Sequence, residues 1–180
     1  MKVRHHIWVA VFLCALSIRG FAQGPSAMNS DWESAARNRD HAAQFQSAQA
    51  MALLTAADDK RTDEFAEEAE RRKHFTLAGD MEFNAGVLFW AASANFTKAA
   101  GNWEKSAQQY ARADASQWVL DTNLKKEESL ASAQHAQHLA AQAYERAVDA
   151  YGLDNAATLA KAGAASEKAA ECREAIAKSQ

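Results

Sequence analysis

The sequence predicts an all-α protein built from antiparallel helical hairpins, and three observations carry that expectation. Alanine is abundant, and it is the residue most favourable to helix. Helix breakers are scarce: Pro25 is the only proline, and beyond it glycine stands only at 79, 86, 101, 152 and 163. No stretch alternates apolar and polar side chains for long enough to make a half-buried strand. At 180 residues the chain has material for one core.

The elements follow in order. Lys2 and Arg4 precede a short apolar run, Ile7–Leu16, and small residues lead to Ala22. That order predicts a secretory signal peptide over 1–22. An apolar run of about ten residues is too short to cross a bilayer. Residues 23–29 are a polar linker, and 30–180 a single helical domain. Ser30-Asp31-Trp32-Glu33 has the form of a capping box and opens a first helix, to about residue 56. Its apolar face would hold Trp32, Ala36, Ala43, Ala50 and Leu54. Asp58–Arg61 is a polar break. A second helix opens at Thr62-Asp63-Glu64, with acids first and bases last as the helix dipole favours, and stops at Gly79.

The third helix, 81–99, is the most apolar. Phe83, Val87, Trp90 and Ala94 form one face, and Phe89, Ser93, Phe96 and Ala100 a second. Two apolar faces place a helix centrally, between neighbours. Gly101 ends it and Asn102 caps a fourth helix, with Trp103, Ala107, Tyr110 and Trp118 on one stripe. A soft break at Asp121–Asn123 leads into a fifth helix, which ends at Gly152. Asp154 caps a sixth, to about 177. Six helices with such short connections form either a short repeat array or an irregular bundle.

The turn Ala78-Gly79-Asp80 recurs as Ala100-Gly101-Asn102. After the second turn, Trp103, Ser106, Tyr110 and Ala113 give an aromatic, small, aromatic, small series, and Trp90 and Ala94 supply a large and a small residue before it. This segment resembles a tetratricopeptide repeat (TPR) at 87–120. A second copy at 121–154 keeps Ala140, Tyr144 and Ala147 but has Glu127 and Glu128 where apolar residues belong. The resemblance implies a groove lined by the first helix of each pair. It would hold Leu88, Ala91, Asn95 and Lys98, then Lys125, Ser129 and Ser132. Asn95 and Lys98 would meet a peptide's backbone or carboxylate.

Composition narrows the function classes. Residues 1–22 carry three bases (Lys2, Arg4, Arg19) and no acid, so their removal takes the formal charge from -3 to -6. Bulk electrostatics then attract neither nucleic acid nor an anionic membrane. Cys14 leaves with the signal and Cys172 stays alone, so no internal disulfide framework exists. Nucleophile elbows, zinc-protease motifs, phosphate loops and dinucleotide fingerprints are absent from the sequence. His135 and His138 lie one turn apart, the best candidate metal ligands, although a zinc or copper site needs two more. The expectation is an exported, secreted or periplasmic, non-enzymatic scaffold. It would bind a protein or peptide partner through Leu88, Asn95, Lys98 and Lys125, with no cofactor, no nucleic acid and no stable membrane insertion. The alternatives are a self-associating structural protein of the envelope, as a homo-oligomer, and metal handling through His135 and His138.

Overall fold

The computed structural model describes residues 31–62, 67–152 and 156–178. The expected signal peptide and linker, and the caps at Ser30 and Asp154, lie outside the described residues. Four helices and no strand make up the described chain: α1 (Asp31–Thr62), α2 (Glu68–Arg112), α3 (Ser116–Tyr151) and α4 (Ala156–Lys178). They run up and down in sequence. α2 and α3 form a long central hairpin; α1 packs chiefly on α2, and α4 chiefly on α3.

The helix count corrects the expectation of six, and the reasons are local. α1 continues through the expected break at 58–61 to Thr62, because Asp58 and Arg61 find partners across the seam. Helices two and three and the first half of helix four are one element, α2, which passes straight through Gly79 and Gly101, whereas the rest of helix four, with Trp118, belongs to α3. The hairpin turn that the TPR resemblance places at Ala100–Asn102 is therefore not there. The expected break at 121–123 lies inside α3, where Thr122 turns its hydroxyl onto the Trp118 and Val119 carbonyls at 2.8 and 3.1 Å. The turn that does form is Ala113-Asp114-Ala115, where Asp114 takes the left-handed conformation at φ 53° without a glycine. Gly152 ends α3 as expected, at φ 66°.

A seven-residue period explains the packing. In α1 the fully buried positions are Ala36, Ala43, Ala50 and Ala57. In α2 three adjacent columns are buried: Ala78, Ala85, Ala92, Ala99 and Ser106; Gly79, Gly86, Ser93, Ala100 and Ala107; and Glu82, Phe89, Phe96, Trp103 and Tyr110. Small side chains let backbones approach, and the column of large ones fills the space between three helices. Gly79 and Gly86 are holes for knobs from α3. A Cβ on Gly79 would lie 2.7 Å from the Tyr151 ring, and one on Gly86 would lie 2.7 Å from the Tyr144 ring. The main cluster joins all four helices through Ala50, Phe89, Ala140, Tyr144 and Cys172.

Alanines at every seventh place are interchangeable, so they cannot fix the register between helices. Buried charges do. Glu82 is 0% exposed. It accepts from Arg61 of α1 at 3.0 and 2.7 Å and from Arg146 of α3 at 3.0 Å. Arg61 also donates to the Arg146 carbonyl at 2.7 Å, and Arg146 pairs with Asp58. Further along, Asp40 accepts from Trp103 Nε1 and from Ser129 Oγ, each at 2.9 Å. Near the start of α1, Glu33 takes Tyr110 Oη at 2.7 Å as well as Arg37. At the opposite seam Asp80 accepts from Tyr151 Oη at 2.9 Å and Lys161 of α4 at 2.7 Å. A slip of one heptad, about 10 Å along the axis, would leave each of these groups without its partner.

Candidate functional site

The two outer helices cover the hairpin unequally. α1 follows it from Tyr110, which meets Glu33, down to Glu82, which meets Arg61. α4 has 23 residues against 36 in α3, and it covers only the half of α3 nearest Gly152. One stripe of α3 shows the boundary, with residues at i, i+4, i+7 and i+11 on one face. In its lower part Ala141 is buried, Glu145 pairs with Arg173 of α4, and Val148 packs beside Ala162 and Ala165. In its upper part Leu120, Leu124, Glu127, Ala131, Gln134 and His138 are all exposed. Leu120 is 61% and Leu124 65% exposed.

The facing stripe of α2 behaves in the same way. Phe83 is held under the α4 end, edge-on to Tyr144 at 5.2 Å between ring centres. One heptad on, Trp90 is 38% exposed. Ala94, Thr97 and Glu104 follow in the open, and a Cβ built on Gly101 would meet nothing within 4 Å. Lys126 of α3 reaches Glu104 of α2 at 3.5 Å and marks where the two stripes come level. The result is a shallow track, bare leucines on one wall and small residues on the other, in line with α4.

The residues expected to bind a partner lie elsewhere and do not share one surface. Leu88 packs half-buried against the main core. Asn95 is engaged within the α1–α2 seam, accepting from Arg39 at 3.1 Å and donating to Gln46 at 2.9 Å. Lys98 is exposed on α2. Lys125, on α3, pairs with Asp121 and stands 5.1 Å from the centre of the Trp103 ring. Leu88 and Asn95 share the column of α2 that faces α1, whereas Lys125 belongs to another helix. Of the wider groove set, Ala91 and Ser132 are half-buried, and Ser129 is buried on Asp40.

Reactive chemistry is sparse among the described residues. His135 and His138 are both exposed, and no group of three His, Cys, Asp or Glu side chains is placed to hold a metal ion. Cys172 is 2% exposed, and burial pushes its thiol up to about 11. Burial likewise pushes the Tyr144 phenol up to about 12. Glu33 goes the other way. Burial works to raise its carboxyl, but the Arg37 and Tyr110 hydrogen bonds outweigh that and hold it below the usual carboxylate range. An open cavity of about 420 Å³ lies between the start of α2 and the end of α3. Its two arginines, Arg71 and Arg72, are both closed on Glu68, at 2.9 and 3.1 Å. No described helix is long and apolar enough to cross a membrane.

No family model, curated protein or solved structure matches the chain. The bare track was partly visible in the sequence. Leu120, Leu124 and Leu130, with Trp118 and Val119 before them, are the large apolar residues of 116–131. Which of them stay bare depends on where α4 ends, and no local pattern in 116–131 carries that.

Proposed function

We propose that this protein is a non-enzymatic helical scaffold, exported from the cytoplasm, that binds a helical segment of another protein along the uncovered face of its central hairpin. The observation that supports this reading is the continuity of one α3 stripe. Covered by α4 at 141, 145 and 148, it runs on with Leu120 and Leu124 in the open. Single exposed leucines are ordinary on protein surfaces. Two on one stripe, beside the track already used for helix packing, form a surface suited to helix-in-groove recognition. Export follows from the charged start, apolar run and small residues of 1–22.

A photocrosslinking amino acid tests the reading, placed at Leu124 and, as a control, at Phe45. Phe45 is just as bare, at 65%, but lies on the outer face of α1. The expected result is a discrete crosslinked partner from position 124 and none from 45. Identical patterns from both positions would refute the assignment, and a crosslink to a second copy of the chain would move the reading to self-association.

A further inference from the structure

Resting on the binding surface proposed above, we infer that the occupant of the bare track is a cationic amphipathic helix, with leucine-like residues at helical spacing and Lys or Arg beside them. Three features of the track define that chemistry. Its length comes first: α4 continues six residues past Cys172, which packs with Ala140 and Ala141, so the free part runs from Leu120 to Ala131, roughly 16 Å, enough for three turns of helix. It is also continuous with the seat of α4, so a second helix laid end-on to α4 would meet the same kind of helical surface.

The second feature is charge. Glu127 sits within the leucine stripe and Glu128 beside it, both exposed, and neither has an ion-pair partner among the described residues. Glu104 lines the opposite wall. The nearby cation, Lys126, is already directed at Glu104. Carboxylates beside an apolar stripe select a partner with the opposite sign, through the rate of encounter and the rejection of like charge. An acidic helix would bring its own carboxylates against Glu127 and Glu128.

The third feature is Gly101. Glycine inside a helix costs roughly 1 kcal/mol relative to alanine. At 79 and 86 a tyrosine ring fills the space that glycine leaves, but at 101, as at Gly163 of α4, no described residue does. With Ala94 and Thr97 on the same stripe, Gly101 leaves α2 low along the track, so an incoming helix can lie close to the hairpin.

The test uses the purified full chain and two labelled peptides of about fourteen residues, long enough to fill the track. One carries leucines at i, i+4, i+7 and i+11 with lysine flanks; the other has the same leucines with glutamate flanks. Fluorescence anisotropy should show the lysine peptide binding at least about tenfold tighter than the glutamate peptide. Leu124→Asp should weaken the lysine peptide by about tenfold or more, and Glu127→Lys with Glu128→Lys should reverse the preference. Gly101→Gln should also weaken binding by standing in the track, with the circular dichroism of the chain unchanged. All four positions are at the surface or have open space, so the variants fold.

The outcomes separate the two claims. Equal affinity for both peptides, lost in Leu124→Asp, overturns the cationic partner and keeps the surface. Binding that ignores Leu124→Asp, or no binding of either peptide, overturns the surface and the partner together. A dimer in light scattering that Leu124→Asp dissolves makes a second copy the occupant and overturns the inference.

Discussion

At the scale of single residues, identical glycines do opposite work. Gly79 and Gly86 each receive the ring of a buried tyrosine, whereas the position of Gly101 is open. A methyl group at 79 or 86 must displace a ring held on all sides, at about 1–3 kcal/mol, which exceeds the gain in helix propensity. Gly86→Ala should therefore lower the urea midpoint, and Gly101→Ala should raise stability by up to about 1 kcal/mol. Equal effects at the two sites would contradict this assignment. The sequence shows three similar glycines, and their helix-breaking tendency is a weak local preference. Packing overrode it at 79 and 86, because the space that matters there is occupied by Tyr151 and Tyr144 of α3, distant in the sequence.

At the scale of helices, an alanine seam holds two elements close without saying how far along they should slide. The Arg61–Glu82–Arg146 arrangement supplies that information. Removing one arginine leaves the fully buried Glu82 carboxylate undercompensated. Arg61→Ala should cost about 3 kcal/mol in denaturant unfolding, and replacing Arg61 and Glu82 together with methionine should recover most of that loss. If the double replacement is as damaging as the single, the network is a source of stability in its own right. The same seam explains why α1 reaches Thr62. Asp58 and Arg61 read as a solvated break from sequence, yet both have partners on α2 or α3. Charged residues at the end of a helix look alike whether they face water or a distant carboxylate.

For the whole molecule, ionisation sets the pH range of stability from both sides. The Glu33 carboxyl is held below its usual range in the folded chain. Its contribution is complete above the usual carboxylate range and fades as pH falls through the lowered folded value. The Cys172 thiol and Tyr144 phenol are raised, to about 11 and about 12. Their contributions are complete below the unfolded values and are lost as pH climbs toward the folded ones. Thermal unfolding across pH should show a plateau at neutral pH with a decline on each side. Tyr110→Phe should shrink the acid decline and Cys172→Ala the alkaline one. A profile that neither substitution alters would count against these couplings.

Composition alone determined that the chain is helical, because helix propensity and the lack of breakers are local properties that add along the sequence. The buried faces were legible in part: Ala36, Ala43 and Ala50, and Phe89, Ser93, Phe96 and Ala100, are buried as expected, whereas Trp32 and the expected face of Val87, Trp90 and Ala94 are exposed. Tertiary structure decided where helices end, which glycines are holes, which charges are buried and which leucines stay bare. The Ala113–Ala115 turn forms without a glycine or proline, while Gly101 sits inside a helix of 45 residues. Each of these outcomes depends on atoms contributed by a different helix, and such contacts leave no mark on the segment that receives them.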